Sequence, residues 1–459
     1  MAGLGTALRL EFSGADRFTD ACEAWRAVAA AATVSDPLGS PGTGLIAFGT
    51  FAFSAQSGAS SVLIVPEIVI GKRDGVFWVT RVRVQTEDES APSDSGMPGA
   101  AGATGAGGHP VPAAGVPLAT ASAATVSPAT ASPVAASPAA SSAASSPTPS
   151  ATTLLAATLL AANLSASTRS RATVPSAAVP AATSFGPEYR ISLQPGAAKP
   201  DTYREAVEAA VGHINAGELE KVVLARDLVG HLPADSDLRR VLLDLALGYP
   251  DCWTFAVDGL VGSSPETLVR VDHGSVTARV LAGTISRGRD AEADHDQAVA
   301  LATSPKDLDE HRFAVASVMT ALTPHSRTLI ASEIPFTLKL PNLWHLASDV
   351  EGTLSDGSTS LDLIASLHPT AAVAGTPTED ALRLIGELEP FDRGRYAGPV
   401  GWLGADGDGE WAVALRCAQV CEDGAITAYA GAGIVSESDP EREFLETRMK
   451  FRPIVEAFG

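Results

Sequence analysis

Paired cysteines, an excess of basic residues and a long apolar run are all missing from this chain, and each absence closes off a class of protein. Its four cysteines, Cys22, Cys252, Cys417 and Cys421, are scattered without zinc-type spacing, so neither a disulfide framework nor a structural zinc is expected and the thiols read as reduced and mostly buried. Cys417 and Cys421 share a face of a strand pattern but find no second pair of ligands. Lysine and arginine number 32 against 53 aspartates and glutamates, for a net charge of −21. A surface that acidic excludes nucleic acid as the main partner. It also leaves any anionic ligand dependent on local basic residues or a metal. The most apolar low-complexity stretch, residues 152–164, is too short to span a bilayer, so no membrane role is assigned. Near the start, Arg9 and Glu11 interrupt any apolar run, so no secretory signal is expected and the cytoplasm is the expected location.

Charge is missing altogether from residues 95–168, where Ala, Ser, Pro, Thr and Gly dominate. Few large apolar side chains are available there to offset the entropy of ordering, so 87–184 is read as a disordered insert. It divides residues 1–86, a helix and strands, from 185–459, the larger part of one catalytic domain. Before it, 44–54, 61–70 and 75–84 have the β-branched and aromatic content of strands, after a helix near 18–32. After it, helices are expected at 202–216, 238–247, 358–367 and 378–389, with a long one starting at Pro305, capped by Ser304 with Asp307 three residues on. Strands are expected at 221–228, 252–260, 267–272, 275–281, 328–334, 343–351, 397–405, 410–421 and 425–430. Antiparallel-type strands alternating irregularly with helices indicate an α+β fold, with antiparallel sheets in a sandwich and helices outside.

The end of the chain is chemically the richest. Residues 428–435 read as a strand leading into a glycine turn, where Gly431 and Gly433 bare backbone N–H groups to an anion. Ser438 or Asp439 then caps a helix opening at Pro440. Glu443 and Glu446 share a face of it and Lys450 lies one turn beyond. Such a helix also suits plain surface stabilisation. Two carboxylates beside an anion-binding turn would repel an anionic substrate unless a divalent cation lay between them, which suggests half of a magnesium site.

Five further clusters share this character. Lys221 opens an apolar strand, where an inward-pointing lysine can serve as a base toward water, although snorkelling from a strand edge is the commoner use. In 262–267 a tight turn presents Glu266, which would hold its proton if half-buried and is otherwise a surface acid. Residues 281–284 form a small-residue loop, with Gly283 and Thr284 able to donate to an anion or simply to end a strand. Within the long helix, Glu310 is the partner for Glu446 across a metal, or part of a solvated face. Arg416, in an apolar strand 411–417, needs an anion, which could be a substrate carboxylate or a structural acid.

The phrases KVVLARDL, GSSPETLVR, LAGTISRG, SPKDLDEHRFAV, LWHLASDVEGTL, LHPTAAVAGTP, ELEPFDRGRYAGPVGW, ALRCAQV and YAGAGIVSESDPEREFLET resemble, in order, those of the chorismate-utilising enzymes. That family includes isochorismate synthase, salicylate synthase, anthranilate synthase component I and aminodeoxychorismate synthase. The resemblance covers residues 188–459 and, more weakly, the N-terminal strands; the insert has no counterpart. It implies that Lys221 is the base that activates water and Glu266 the acid that protonates the departing ring hydroxyl. It implies Mg²⁺ on Glu310 and Glu446, with Glu443 alongside through water. By the same resemblance Arg416 holds the enolpyruvyl carboxylate, and Gly431, Gly433 and Lys450 stand at the substrate carboxylates. His345 lies near the departing hydroxyl, and Gly283 with Thr284 beside the ring.

Within the family the nucleophile decides. The amide-nitrogen users resemble one another in carrying Gln where this chain has Lys221, and aminodeoxychorismate enzymes tend to carry lysine where it has Ala282. Water is therefore the expected nucleophile and no glutamine amidotransferase partner is expected. The segments around His345 and 367–370 resemble isochorismate synthase, whereas salicylate-forming relatives tend to have Thr where Ala372 stands. The resemblance thus implies isochorismate synthase, with salicylate synthase second and an inactive binding or scaffold protein third. A monomer acting on chorismate is expected, with its product feeding menaquinone or siderophore synthesis.

Overall fold

Strand-forming runs of this sequence resolve into three sheets, in a computed structural model that describes residues 1–84, 164–170 and 185–459. The described residues belong to one unit. The largest sheet has ten strands in the order Ser326–Ala331, Leu343–Leu354, Ser275–Ser286, Thr267–Asp272, Gly409–Val413, Pro399–Gly404, Ile46–Thr50, Ser61–Val65 and Leu8–Phe12, with Phe336–Lys339 also paired to Leu343–Leu354. The seven-stranded sheet runs Trp253–Val257, Leu260–Ser264, Cys417–Val420, Ala425–Ile434, Lys221–His231 and Gly375–Thr376, and Gln194–Pro195 joins Lys221–His231. A five-stranded sheet of Ala2–Leu4, Ile68–Arg73, Val76–Val84, Leu164–Ser170 and Thr33–Ser35 completes the set. Only the pairing of its last two strands is parallel among the described residues.

One hydrophobic cluster draws Leu224 and Ala225 from the seven-stranded sheet and Val269, Val280 and Trp411 from the ten-stranded one. That shared core makes the two a sandwich. Helices Pro200–Asn215 and Pro440–Phe458 pack on the seven-stranded sheet, and Pro305–Leu322 and Ser360–Leu367 on the ten-stranded one. The α+β expectation holds. No described helix is long and apolar enough to cross a membrane.

Three runs expected as single strands are each two strands, and each break has a local cause. Residues 61–70 split at Pro66, which has no N–H for a ladder, and the halves enter different sheets. Residues 252–260 end in a hairpin in which Asp258 and Gly259 have φ of 51° and 77°, the Asp-Gly signature of a two-residue turn. Residues 410–421 split between Gly409–Val413 and Cys417–Val420. A helix at Ala291–Thr303, capped by the Asp290 side chain, was not expected.

Leu164–Ser170, inside the segment read as an insert, is a strand whose Leu164 pairs with Val84. The rest of that reading, including the stretch from residue 152, lies outside the described residues.

Candidate active site

Two neighbouring chain crossings build the site. From Leu260–Ser264 the chain passes over Pro265 and Glu266 into Thr267–Asp272 of the other sheet, and from Gly409–Val413 it passes back through Arg416 into Cys417–Val420. Ser263 N–H donates to the Arg416 carbonyl and Val413 N–H to the Glu266 carbonyl, both at 3.1 Å, which ties the crossings together. Arg416 turns the chain at φ 48°, an uncommon conformation for a residue with a Cβ. It is therefore not in a strand, and Glu266 sits on a crossover rather than in a tight turn, contrary to the sequence reading. Both are buried at the seam, facing a cavity of about 950 Å³.

Lys221, Val223 and Ala225 alternate on one face of their strand, and Lys221 and Val223 line the cavity. Lys221 is 3% exposed, and its Nζ lies 2.8 Å from Glu310 Oε1. Gly431 and Gly433 do not form a turn: both lie within Ala425–Ile434, opposite Ala225 and Val223. Their lack of a side chain makes room for close approach. A Cβ on Gly433 would stand 2.9 Å from Glu310 Oε1 and 3.0 Å from Lys221 Cε, and one on Gly431 would meet the Leu224 carbonyl at 2.8 Å and the Tyr396 hydroxyl at 3.1 Å.

The segment 281–284 is likewise no loop. It is a bulge within Ser275–Ser286, where the register slips between Ala282 and Thr284 and Gly283 takes φ 81°. The bulge aims Thr284 at His345, whose Nδ1 lies 2.9 Å from Thr284 Oγ1. Burial, then the charges of Arg416 and Lys450, holds His345 neutral with a pKa well below the ordinary value. Arg416 Nη2 lies 3.5 Å from His345 Nε2, and no carboxylate among the described residues comes within 4.0 Å of its guanidinium.

Glu266 has no hydrogen bond to its carboxyl among the described residues. Burial pushes its pKa up to about 8 against the opposing charges of Lys221, Arg416 and Lys450, so it carries a proton at neutral pH. Across the same cavity Glu310 is ionised: burial opposes this, but Lys221 beside it holds the carboxyl below its usual range. The cavity thus contains a buried protonated acid and a buried lysine.

The terminal helix is capped by Asp439, which accepts from Arg442 N–H at 2.9 Å. It brings Glu443, Glu446 and Lys450 to the cavity wall. Lys450 Nζ lies 2.6 Å from Glu446 Oε1 and donates to the Gly431 carbonyl at 2.9 Å. Burial and then the charge of Glu446 push Glu443 up to about 7. Glu310, Glu443 and Glu446 offer only carboxylate oxygens, the hard donor set that suits Mg²⁺, and the charge of Glu446, second to burial in raising Glu443, is a repulsion that a cation would relieve. Two of the three are held by lysines. Among the described residues, the group of three that brings its ligand atoms within 4.8 Å of one another is instead Asp272, His273 and Asp408, at a distant hairpin.

Every residue singled out from the sequence lines this one cavity, Ala372 included. So do Tyr396, Lys306, Arg442 and Arg448, for which sequence reasoning had found no role, and Asp307, read there only as part of a helix cap. Tyr396 stacks on Tyr429 at 5.3 Å between ring centroids. The three basic residues supply the local positive charge that an acidic chain needs for an anionic ligand. Their helical positions, 442 and 448 around the acids and 306 ahead of Glu310, were the available signal.

Comparison with known proteins matches residues 151–459 to the family of chorismate binding enzymes. The chain is 41% identical over 286 residues to isochorismate synthase DhbC of Bacillus subtilis, covering 60% of this chain and 71% of that protein. It is 35% identical over 263 residues to isochorismate synthase EntC of Escherichia coli, covering 56% and 67%. Among solved structures, DhbC of Bacillus anthracis, assigned as a 2,3-dihydroxybenzoate-specific isochorismate synthase, aligns with a TM-score of 0.66 at 26% identity, covering 99% of this chain and 92% of that one.

Proposed function

The chain belongs to the chorismate binding enzymes, and from that membership we propose that it is an isochorismate synthase, an isomerase that converts chorismate reversibly to isochorismate. The observation that carries the reading is the pairing, in one cavity, of buried Lys221 with buried, protonated Glu266. Adding water at one ring carbon and expelling hydroxide from another needs a base and an acid at two places at once. Lys221 takes a proton from water as the water oxygen bonds to ring carbon 2. The ring double bonds shift, the bond from carbon 4 to its hydroxyl oxygen breaks, and Glu266 gives its proton to the leaving oxygen. One water is consumed and one released, so substrate and product are isomers.

Arg416 holds the enolpyruvyl carboxylate in this reading, supported by its donors finding no acid among the described residues. Lys450, with the backbone beside Gly431 and Gly433, faces the remaining substrate carboxylate. Neutral His345, fixed by Thr284, stands by the departing hydroxyl. Glu310, Glu446 and Glu443 would hold Mg²⁺, which when bound supplies positive charge to the ring carboxylate. To act as the base, Lys221 must first release Glu310 and give up its own ammonium proton to solvent.

Purified protein incubated with chorismate and Mg²⁺ tests the reading. Isochorismate in reversible equilibrium with chorismate is expected. Accumulation of salicylate and pyruvate would identify a salicylate synthase instead, a product of amination would point to an amide-nitrogen user, and no turnover would support a non-catalytic protein.

A further inference from the structure

Glu266 and Ala372 also line a second and much smaller cavity. Its volume is about 10 Å³, room for one water molecule. Leu268, Val280, Ala314 and Val318 are among its apolar walls, and Glu266, Thr370, Thr267 and Arg279 also line it. Thr370 is 5% exposed, and its Oγ1 is buried without a hydrogen-bond partner. Its backbone is fixed, because its carbonyl accepts from Val373 N–H at 3.1 Å and Ala374 N–H at 3.0 Å. A hydroxyl in an apolar wall is costly unless it meets a partner. Thr267 accepts from the Trp253 indole and Arg279 donates to Asp349, whereas the Glu266 carboxyl, like the Thr370 hydroxyl, is without a hydrogen bond among the described residues.

We propose that Thr370 is a positioning residue for Glu266, acting through one water held between the Thr370 hydroxyl and the rear oxygen of the Glu266 carboxyl. This rests on the reading of Glu266 as the acid. The water donates to the rear oxygen, so that oxygen is the carbonyl of the acid and the proton stays on the oxygen that faces the substrate. When that proton leaves, the same water stabilises the carboxylate that remains. Glu266 thus gains a fixed proton position and a better-stabilised conjugate base from a residue that touches neither substrate nor metal.

Thr370→Val keeps the shape and removes the hydroxyl, and Thr370→Ser restores it. With folding checked by thermal melting, the valine variant is expected to lose about ten- to a hundred-fold in kcat, the worth of a hydrogen bond to a charged group, with KM little changed. A hydrogen bond to the ionised form lowers a carboxyl pKa, so its loss should move the alkaline limb of kcat/KM to higher pH. In the infrared spectrum, the C=O stretch of protonated Glu266, identified by its disappearance in Glu266→Gln, should shift to higher frequency in the valine variant. Serine should bring all three readouts back. A valine variant with wild-type kcat, pH limb and C=O stretch overturns the proposal, as does a serine variant as impaired as valine. The infrared readout needs no turnover, so a protein inactive on chorismate would sink the functional reading while the stretch still reported on the hydrogen bond.

Discussion

Replacing Arg416 by methionine should make the protein more stable and a weaker binder of chorismate. Arg416 is 8% exposed, and among the described residues no carboxylate lies within 4.0 Å of its guanidinium. Burial lowers its pKa, opposed by the more distant Tyr396, Cys252, Glu446 and Glu266. A cation in that position is a cost to the free protein, which the proposed pairing with a substrate carboxylate would explain. Methionine fills similar space without charge and leaves φ at position 416 no worse, since both residues have a Cβ. Unfolding in urea should therefore show a gain of about 1–2 kcal/mol with an unchanged slope. Binding should lose one bidentate, charge-assisted contact, about 1.5–3 kcal/mol, so chorismate affinity should fall about ten- to a hundred-fold. Arg416→Lys keeps the charge but not the fork, and should recover only part of the affinity. A methionine variant that is clearly destabilised, or that binds chorismate as tightly as the wild type, would refute the argument.

Lys221→Gln should still bind chorismate, by calorimetry, while turnover falls by about two to four decades, the usual range for a general base; wild-type turnover would place the base elsewhere. Because Glu266 must be protonated and its pKa is raised to about 8 by burial, kcat/KM should decline as pH rises through that value, and Glu266→Gln should abolish most activity together with that limb. Glu446→Gln should weaken Mg²⁺ binding in a titration and remove most activity with little loss of folding, since the Glu446 side chain is 27% exposed and its lysine pair lies at the helix surface; full turnover in chelator would contradict the metal assignment. Replacing residues 85–163 by Asn-Gly should leave folding and turnover near wild type, because Val84 and Leu164 already pair, whereas extending the deletion through residue 168 should destabilise the sheet by removing most of Leu164–Ser170.

The membership of this site was more legible in the sequence than its geometry. Residue types and order were enough to single out Lys221, Glu266, Glu310, Arg416 and Glu446, and all five line one cavity. The conformations were harder to read, because the segments that carry the chemistry depart from regular patterns. Arg416 was placed in a strand since 411–417 is apolar throughout; the chain changes sheets there, and a residue buried in a crossing is surrounded by the same apolar neighbours as one in a strand. Gly283 looked like a loop and is a bulge. Gly431 and Gly433 looked like a turn and are strand positions kept small so that Lys221, Glu310 and Tyr396 can come close. Leu164–Ser170 was missed because its Ser and Ala content matches that of the segment before it, and only pairing with Val76–Val84 and Thr33–Ser35 distinguishes it. The helix Ala291–Thr303 buries only Asp294 and Leu301, too few positions to give a readable apolar stripe.

The central claim is that Lys221 activates water toward ring carbon 2 of chorismate while Glu266 releases the hydroxyl at carbon 4. Running the reaction in ¹⁸O-labelled water with Mg²⁺, and locating the label by mass spectrometry and NMR, tests it directly. Isochorismate carrying one ¹⁸O at ring carbon 2 is predicted, with label appearing at carbon 4 of recovered chorismate as the reaction reverses. Unlabelled isochorismate would show that the hydroxyl moves without passing through solvent water, and would contradict the assignment of Lys221 as the base.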